Sequence, residues 1–322
     1  MQGKVTTEDA MAPVYGGIDV CKERLDVYLH PLGKQFSVAN DCGGWRRLLR
    51  RLAEHRVAAV VMEPTSKYHR AAHRHLDAAG IAVALIAPHR ARLFAGACGQ
   101  LAKTDRIDAR ILALAGERLD PAVASPPTAE EEALEELAGA RAAAVAERTA
   151  TSNRLRTTTS AFLRRELGNR LRGLDRHLER IEARIVAMIA TNARLARQAA
   201  IIRSIPGMGP VNVLAILTGL REIGRITGKQ AAALAGLAPF ADDSGHRQGQ
   251  RRIRGGRAAL RRALYMAAVA ASRCNPELKA FYQRLRAKGK SAKAALIAVA
   301  RKLIVLANTL VGENRTWTSA RP

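Results

Sequence analysis

Aromatic side chains make up only 4% of this 322-residue chain, acids number 28 against 53 lysines and arginines, and there are four cysteines. Each shortage excludes something. With two Trp, five Tyr and five Phe, the chain has few rings for base stacking, so a nucleic-acid partner would be gripped by its backbone. Cys21, Cys42, Cys98 and Cys274 form no Cys-x-x-Cys pair. That argues against a disulfide framework or a zinc site, and they are expected as buried thiols in a reducing cytoplasm. No uninterrupted apolar run approaches the length needed to span a bilayer. Residues Met1 to Met11 have neither an apolar core nor a basic flank, so no signal peptide is expected. No basic helix with Trp or Phe anchors marks a membrane surface.

Positive charge is present in excess: the formal net charge is +25 and the pI near 11.1. From Gly245 to Pro322 there are 18 Lys or Arg against two acids, Glu277 and Glu313. Self-repulsion of that size works against a compact state unless a polyanion relieves it, and nucleic acid is the expected partner.

Apolar patterning divides the chain. Between residues 14 and 119, strands are expected at Val14–Val20, Leu25–His30, Phe36–Asn40, Val57–Met62 and Ile81–Ile86. Helices are expected at Trp45–His55, Lys67–Ala79, Arg90–Ala97 and Thr104–Leu119. That order implies a mixed sheet covered by helices, an α/β domain over about residues 12–125. Ser125-Pro126-Pro127 marks its end. An all-α remainder comes next. A helical spacer over 128–200 starts at a Thr128 cap. It carries Leu167, Leu171, Leu174, Leu178, Ile181, Ile185 and Met188 at alternating spacings of four and three. This heptad seam suits a coiled coil or a long helical hairpin, with its partner either in the same bundle or in a second copy. Residues 201–312 are mostly helix, broken by Ala238–Gly256 and Asn275-Pro276. The turn Pro206-Gly207-Met208-Gly209-Pro210 precedes an apolar helix. Gly207 and Gly209 there would let backbone N–H groups approach a phosphate, although an ordinary interhelix turn reads the same way.

Four acids stand where metal-dependent phosphodiester chemistry would want them. Asp19 closes Gly16-Gly17-Ile18-Asp19, Glu63 closes Val60-Val61-Met62-Glu63, and Asp105 and Asp108 share one helical face. Acids at strand ends and on a helix packed against the sheet converge, and oxygen donors suit Mg²⁺. Surface ion pairing is the plain alternative for Asp105 and Asp108, and a turn for Glu63. Asp26, mid-strand, ranks below Asp19.

Gly17-Ile18-Asp19-Val20, Met62-Glu63-Pro64-Thr65 with Tyr68, and Leu101-Ala102-Lys103-Thr104-Asp105-Arg106-Ile107-Asp108-Ala109 resemble the motifs of the DEDD insertion-sequence transposases. The resemblance continues through Ile205-Pro206-Gly207, Gly236-Leu237-Ala238-Pro239, Asp243-Ser244-Gly245, Gly255-Gly256-Arg257, Leu264-Tyr265-Met266-Ala267, Asn275-Pro276 and Gly289-Lys290, covering roughly residues 14 to 310. Two positions depart from it: Ser66, where the family often has glycine, and Ala87, where asparagine is common. The resemblance implies an RNase H-like, RuvC-like first domain, with Asp19, Glu63, Asp105 and Asp108 binding Mg²⁺ (or Mn²⁺). It makes Ser244 the nucleophile, which needs its proton removed or its oxygen activated. His246 could assist proton transfer, though contact with phosphate or solvent is the plainer reading, and Tyr265 reads as packing rather than chemistry. Arg247, Arg251, Arg252, Arg254, Arg257, Arg261 and Arg262 surround Ser244 in sequence and are the candidate phosphate grips.

The implied protein is a bacterial or archaeal transposase in the cytoplasm, at the nucleoid. It acts on donor and target DNA under the guidance of a structured non-coding bridge RNA. It would work as a homodimer or homotetramer in which the serine of one protomer completes the metal site of another, with no membrane partner. A RuvC-type structure-specific endonuclease using water, and a non-catalytic basic nucleic-acid-binding protein, are the alternatives.

Overall fold

The computed structural model describes residues 13–64, 66–100, 105–241, 243–244, 249 and 251–319, the side chains of Asp105 and Arg106 excepted. The chain forms two compact units, which divide between Pro127 and Thr128.

The first unit runs β1 (Val14–Val20), β2 (Arg24–His30), β3 (Lys34–Ala39), α1 (Cys42–Glu54), β4 (Val57–Met62), α2 (His69–Ala78), β5 (Val83–Leu85), α3 (Pro88–Ala97) and α4 (Asp105–Leu119). The strands make one five-stranded sheet in the order β3-β2-β1-β4-β5. The first three are antiparallel meanders, while β4 joins β1 and β5 joins β4 in parallel. Parallel neighbours need crossovers, and α1 and α2 supply them. One face of the sheet buries Ile18, Val20, Leu25, Val27 and Leu29 with Leu48, Leu52 and Leu76 of the helices. This mixed sheet under helices is compatible with an RNase H-like domain.

The second unit runs α5 (Ala129–Thr157), α6 (Ala161–Thr191), α7 (Ala193–Ser204), α8 (Pro210–Gly219), α9 (Gly228–Leu234), β6 (Pro239–Phe240), β7 (Arg252–Ile253), α10 (Ala258–Cys274), α11 (Pro276–Ala287) and α12 (Ala292–Gly312). Helix α5 opens on a reciprocal cap. The Glu131 N–H donates to Thr128 Oγ1 and the Thr128 N–H to Glu131 Oε2, both at 3.2 Å. Helices α5 and α6 form an antiparallel hairpin, since Arg141 pairs with Glu182, Arg148 with Asp175 and Glu147 with Arg170. The heptad seam faces this hairpin's interior: Leu174, Ile181 and Ile185 are buried and Leu167, Leu171, Leu178 and Met188 half-buried. The seam is thus covered by α5 of the same chain and does not supply a pairing surface for a second copy. The spacer is also not separate from the rest of the second unit, because Leu134, Ile181 and Ile185 belong to the same core as α7 to α12.

One expectation is corrected, that of buried thiols. None of the cysteines is buried: Cys42, Cys98 and Cys274 are exposed and Cys21 half-buried, all free thiols. The exposed three sit at or just beyond helix ends, where side chains leave the core. Helix α12 does have the length and apolar character of a membrane span. Its apolar side is nevertheless core, with Val299, Leu303, Ile304 and Leu310 fully buried, and Arg301 and Lys302 interrupt it.

Candidate active site

Asp19 is the penultimate residue of β1, and Glu63 follows the last residue of β4. The strands are parallel, with Gly17 opposite Val61 and Ile18 opposite Met62, so one further step sets Asp19 beside Glu63. Strand alternation puts Asp19 on the same face as Gly17 and Tyr15, and that face carries α4. A Cβ at Gly17 would overlap the Ala109 carbonyl oxygen and the Ala113 nitrogen, so only glycine lets the helix backbone come this close. Farther along α4, a Cβ at Gly116 would lie 3.0 Å from Val61 Cγ2 and 3.2 Å from Tyr15 Cδ1. Helix α4 therefore runs antiparallel to β1. Its first turn, carrying Asp105 and the half-buried Asp108, overhangs the strand end where Asp19 and Glu63 stand.

Asp26 lies directly across from Asp19 in the sheet. Its buried carboxylate is engaged, accepting from Arg24 Nε at 2.7 Å and Ser37 Oγ at 2.5 Å. A carboxylate held this way within its own sheet is a structural acid. The strand-end set offers only oxygen donors, which suits a hard divalent cation. Among the described residues no three His, Cys, Asp or Glu side chains close into a metal cage; the Asp105 side chain lies outside the described set.

In the second unit, Ser244 is exposed in the segment joining β6 to β7. The ends of this segment are fixed by a backbone crossing. Gly236 and Gly256 both have φ of +66°, and a Cβ at Gly256 would overlap the Gly236 backbone. Next to Ser244, Asp243 Oδ1 accepts from the Gly249 N–H at 3.1 Å. His246 and Arg247 lie outside the described residues. The remaining arginines divide. Arg251, Arg252, Arg254 and Arg262 are exposed. Arg257 forks onto Glu222, at 2.8 and 2.6 Å, and also donates to the Gly219 carbonyl. This holds the Glu222 carboxyl below its ordinary value of 4.5 against the opposing effect of burial. Arg261 donates to the carbonyls of Gly255 and Gly236. Arg257 and Arg261 thus brace the hairpin. Gly207 is packed onto Ala271 of α10, which gives that glycine a packing reason, while Gly209 caps α8. Tyr265 is half-buried between the buried Leu264 and the exposed Met266. The sequence reading passes over Lys290, Lys293 and Arg301, which share a groove with Arg251 and Arg252; their signal is the spacing of Lys293, Ile297 and Arg301 along one helix face.

Both departures from the family pattern have local consequences. Ser66 sits at φ +50°, a conformation that glycine adopts more easily. Ala87 is the N-cap of α3 and offers no side-chain acceptor, where asparagine would supply one.

Two family profiles match the chain. One is a DEDD-type IS110 transposase over residues 17–162, and the other is the transposase IS116/IS110/IS902 family over residues 199–283. The chain is 26% identical to the pilin gene-inverting protein of Moraxella bovis, over 95% of this chain and 98% of that one. The pilin gene-inverting protein of Moraxella lacunata is likewise 26% identical over the same shares. An uncharacterized 42 kDa protein of insertion element IS900 from Mycobacterium paratuberculosis is 36% identical over 36% of this chain and 30% of its own length. The first profile covers the four acids and runs on into the second unit, the second covers the serine, and the chain belongs to the DEDD-type insertion-sequence transposases, enzymes that act on DNA.

Proposed function

We propose that this transposase cuts and rejoins donor and target DNA through a serine–phosphodiester intermediate, with a structured bridge RNA choosing the sequences. The observation that carries this reading is the convergence of Asp19, Glu63 and the first turn of α4 at one end of the sheet. Asp19, Glu63, Asp105 and Asp108 would hold Mg²⁺ (or Mn²⁺), which when bound stabilises charge on phosphoryl oxygens. Ser244 Oγ bonds to phosphorus as the bridging oxygen of the cut strand leaves, and the serine proton ends on that oxygen. A hydroxyl of the second strand then attacks the serine ester, restoring a phosphodiester and returning a proton to Ser244. The ester conserves the bond energy that hydrolysis would lose. Exposed arginines, Arg251, Arg252, Arg254 and Arg262, with Arg247 and the turn at Gly207 and Gly209, are the nucleic-acid contacts in this reading. The relatives named for inverting a gene support joining as well as cutting. In this reading a homodimer or homotetramer brings a serine to a metal site on another copy.

A second reading, a RuvC-type endonuclease using water, draws on one observation: all four carboxylates belong to the first unit and Ser244 to the second. Incubation with Mg²⁺, flanking RNA and end-labelled donor and target DNA separates the two. A covalent protein–DNA adduct and joined product, both absent in Ser244→Ala, are expected. Metal-dependent cleavage of equal rate in both proteins, with no adduct, would replace strand transfer by hydrolysis.

A further inference from the structure

Beside the β6–β7 hairpin lies a groove of about 580 Å³, one side of which carries the Arg251 and Arg252 proposed above as nucleic-acid contacts and the other side of which has no role there. Its rim is cationic, with Arg251 and Arg252 on the hairpin side and Lys290, Lys293 and Arg301 on the other. Its floor is apolar, built from Leu237, Ile253, Leu285 and Ile297. Lys293, Ile297 and Arg301 fall at i, i+4 and i+8, so they share one face of α12, while Ala295, Val299 and Leu303 on another face are buried in the core.

Among the described residues the groove has no acidic lining residue, and none of its five cations is in an ion pair. Arginines elsewhere in this unit do find carboxylates, as Arg141, Arg148 and Arg257 show. Uncompensated cations around a concavity focus field into it and favour an anion there. The floor decides what kind of anion. A duplex keeps its base faces stacked inside and presents only phosphate and sugar to a rim. An unpaired strand presents phosphates together with apolar base faces, matching a cationic rim over an apolar floor. Phe240 adds an exposed ring, 49% accessible, cross-strand from Arg252.

We propose that this groove holds an unpaired DNA strand and leads it to Ser244. DNA is preferred over RNA because the groove borders the hairpin whose loop carries the serine, and DNA is what this family of enzymes acts on. Ser244 is four residues beyond Phe240 and so cannot lie farther than about 14 Å from it, a few nucleotides along a strand. The inference rests on the reading of Ser244 as the attacking group.

The test uses the full chain carrying Ser244→Ala, so that binding is read without reaction. A fluorescein-labelled strand of about 16 nucleotides is titrated as single-stranded DNA, as duplex and as RNA over a salt series. Adding Lys293→Gln and Arg301→Gln should weaken single-strand binding roughly tenfold and reduce its log–log salt slope by about 1.4, two contacts' worth. Duplex affinity should change less than about twofold. The pair Arg176→Gln and Arg180→Gln, exposed on α6, controls for general loss of charge and should leave single-strand binding within about twofold. Thermal melts establish that each variant is folded. An unchanged slope, an equal loss for duplex, or a larger loss for RNA than for DNA overturns the groove. In the separate trapping experiment, an adduct that forms equally with the wild type and with Ser244→Ala overturns the serine instead.

Discussion

In the first unit the proposed site rests on a few acids, and backbone geometry places the elements that carry them. In the second many cations are available, and side-chain partnership decides which are free. The parallel register of β1 and β4 sets the strand ends of Asp19 and Glu63 side by side, and Gly17 admits α4, which carries Asp108, to within backbone contact. No special side-chain chemistry is needed until the strand end where the metal is proposed to bind. Around the β6–β7 hairpin the reverse holds. Arg257 and Arg261 are spent on Glu222 and on carbonyls, while Arg251, Arg252, Lys293 and Arg301 rim a groove without acids. A catalytic centre must hold its ligands within fractions of an ångström, which regular elements do well. A surface that grips a polyanion needs charge density more than exact placement.

The strongest way to break this contrast is to alter shape in the first unit without touching charge. Gly17→Ala adds one methyl group, but it meets the Ala109 carbonyl and the Ala113 nitrogen, and helix backbone cannot step aside alone. The first turn of α4 must shift, carrying Asp105 and Asp108 away from Asp19. A displacement near 1 Å is expected to lower strand-transfer rate on the order of 100-fold, with about 1–3 kcal/mol of lost stability from overpacking. DNA affinity, which the proposed arginines of the second unit would supply, should stay within about twofold. Single-turnover rates and binding titrations on the same protein check this. If affinity falls together with rate, placement and grip are not divided between the units.

Much of the first unit was legible in sequence because its signals are local. Val14–Val20 and Val57–Met62 are apolar runs long enough to bury on both faces, and the sheet has them where the pattern puts them. Ile81–Ile86 shrinks to Val83–Leu85 because this strand is at the sheet edge, pairing with β4 on one side and held on the other only by a single bridge to Val123. An apolar run marks burial but does not say how much of it is hydrogen-bonded. The heptad seam was equally plain, yet its partner was not. The helix that covers it, α5, has small and polar residues at facing positions, among them the buried Ala144 and Thr151, and so shows little pattern of its own. In the arginine cluster the limit is sharper. Arg257 and Arg262 look alike in sequence, since the carboxylate that claims Arg257 is 35 residues away. The groove is hidden from the sequence for the same reason: its rim unites a two-residue strand with a helix some forty residues later.

That difference between Arg257 and Arg262 sharpens the contrast at smaller scale. Arg262→Gln should leave stability within about 0.5 kcal/mol and reduce the salt slope of duplex binding by about 0.9 if the side chain meets a phosphate. Arg257→Gln should do the opposite, with a loss of about 1 kcal/mol for a half-exposed, forked pair and little change in slope. The pH dependence gives the second result a direction. The Arg257 hydrogen bond is the main reason that the Glu222 carboxyl lies below its ordinary value of 4.5 in the folded chain. A carboxyl depressed by folding contributes stability above its unfolded value, and the contribution is lost as pH falls through the folded value. The gap in melting temperature between wild type and Arg257→Gln should therefore be level from neutral pH down to about 5, and then narrow on further acidification as Glu222 takes up its proton. A gap that holds constant into strong acid would mean that the guanidinium stabilises the hairpin through the Gly219 carbonyl and its packing, and that the ion pair adds nothing. Charge in the second unit would then be serving shape as well.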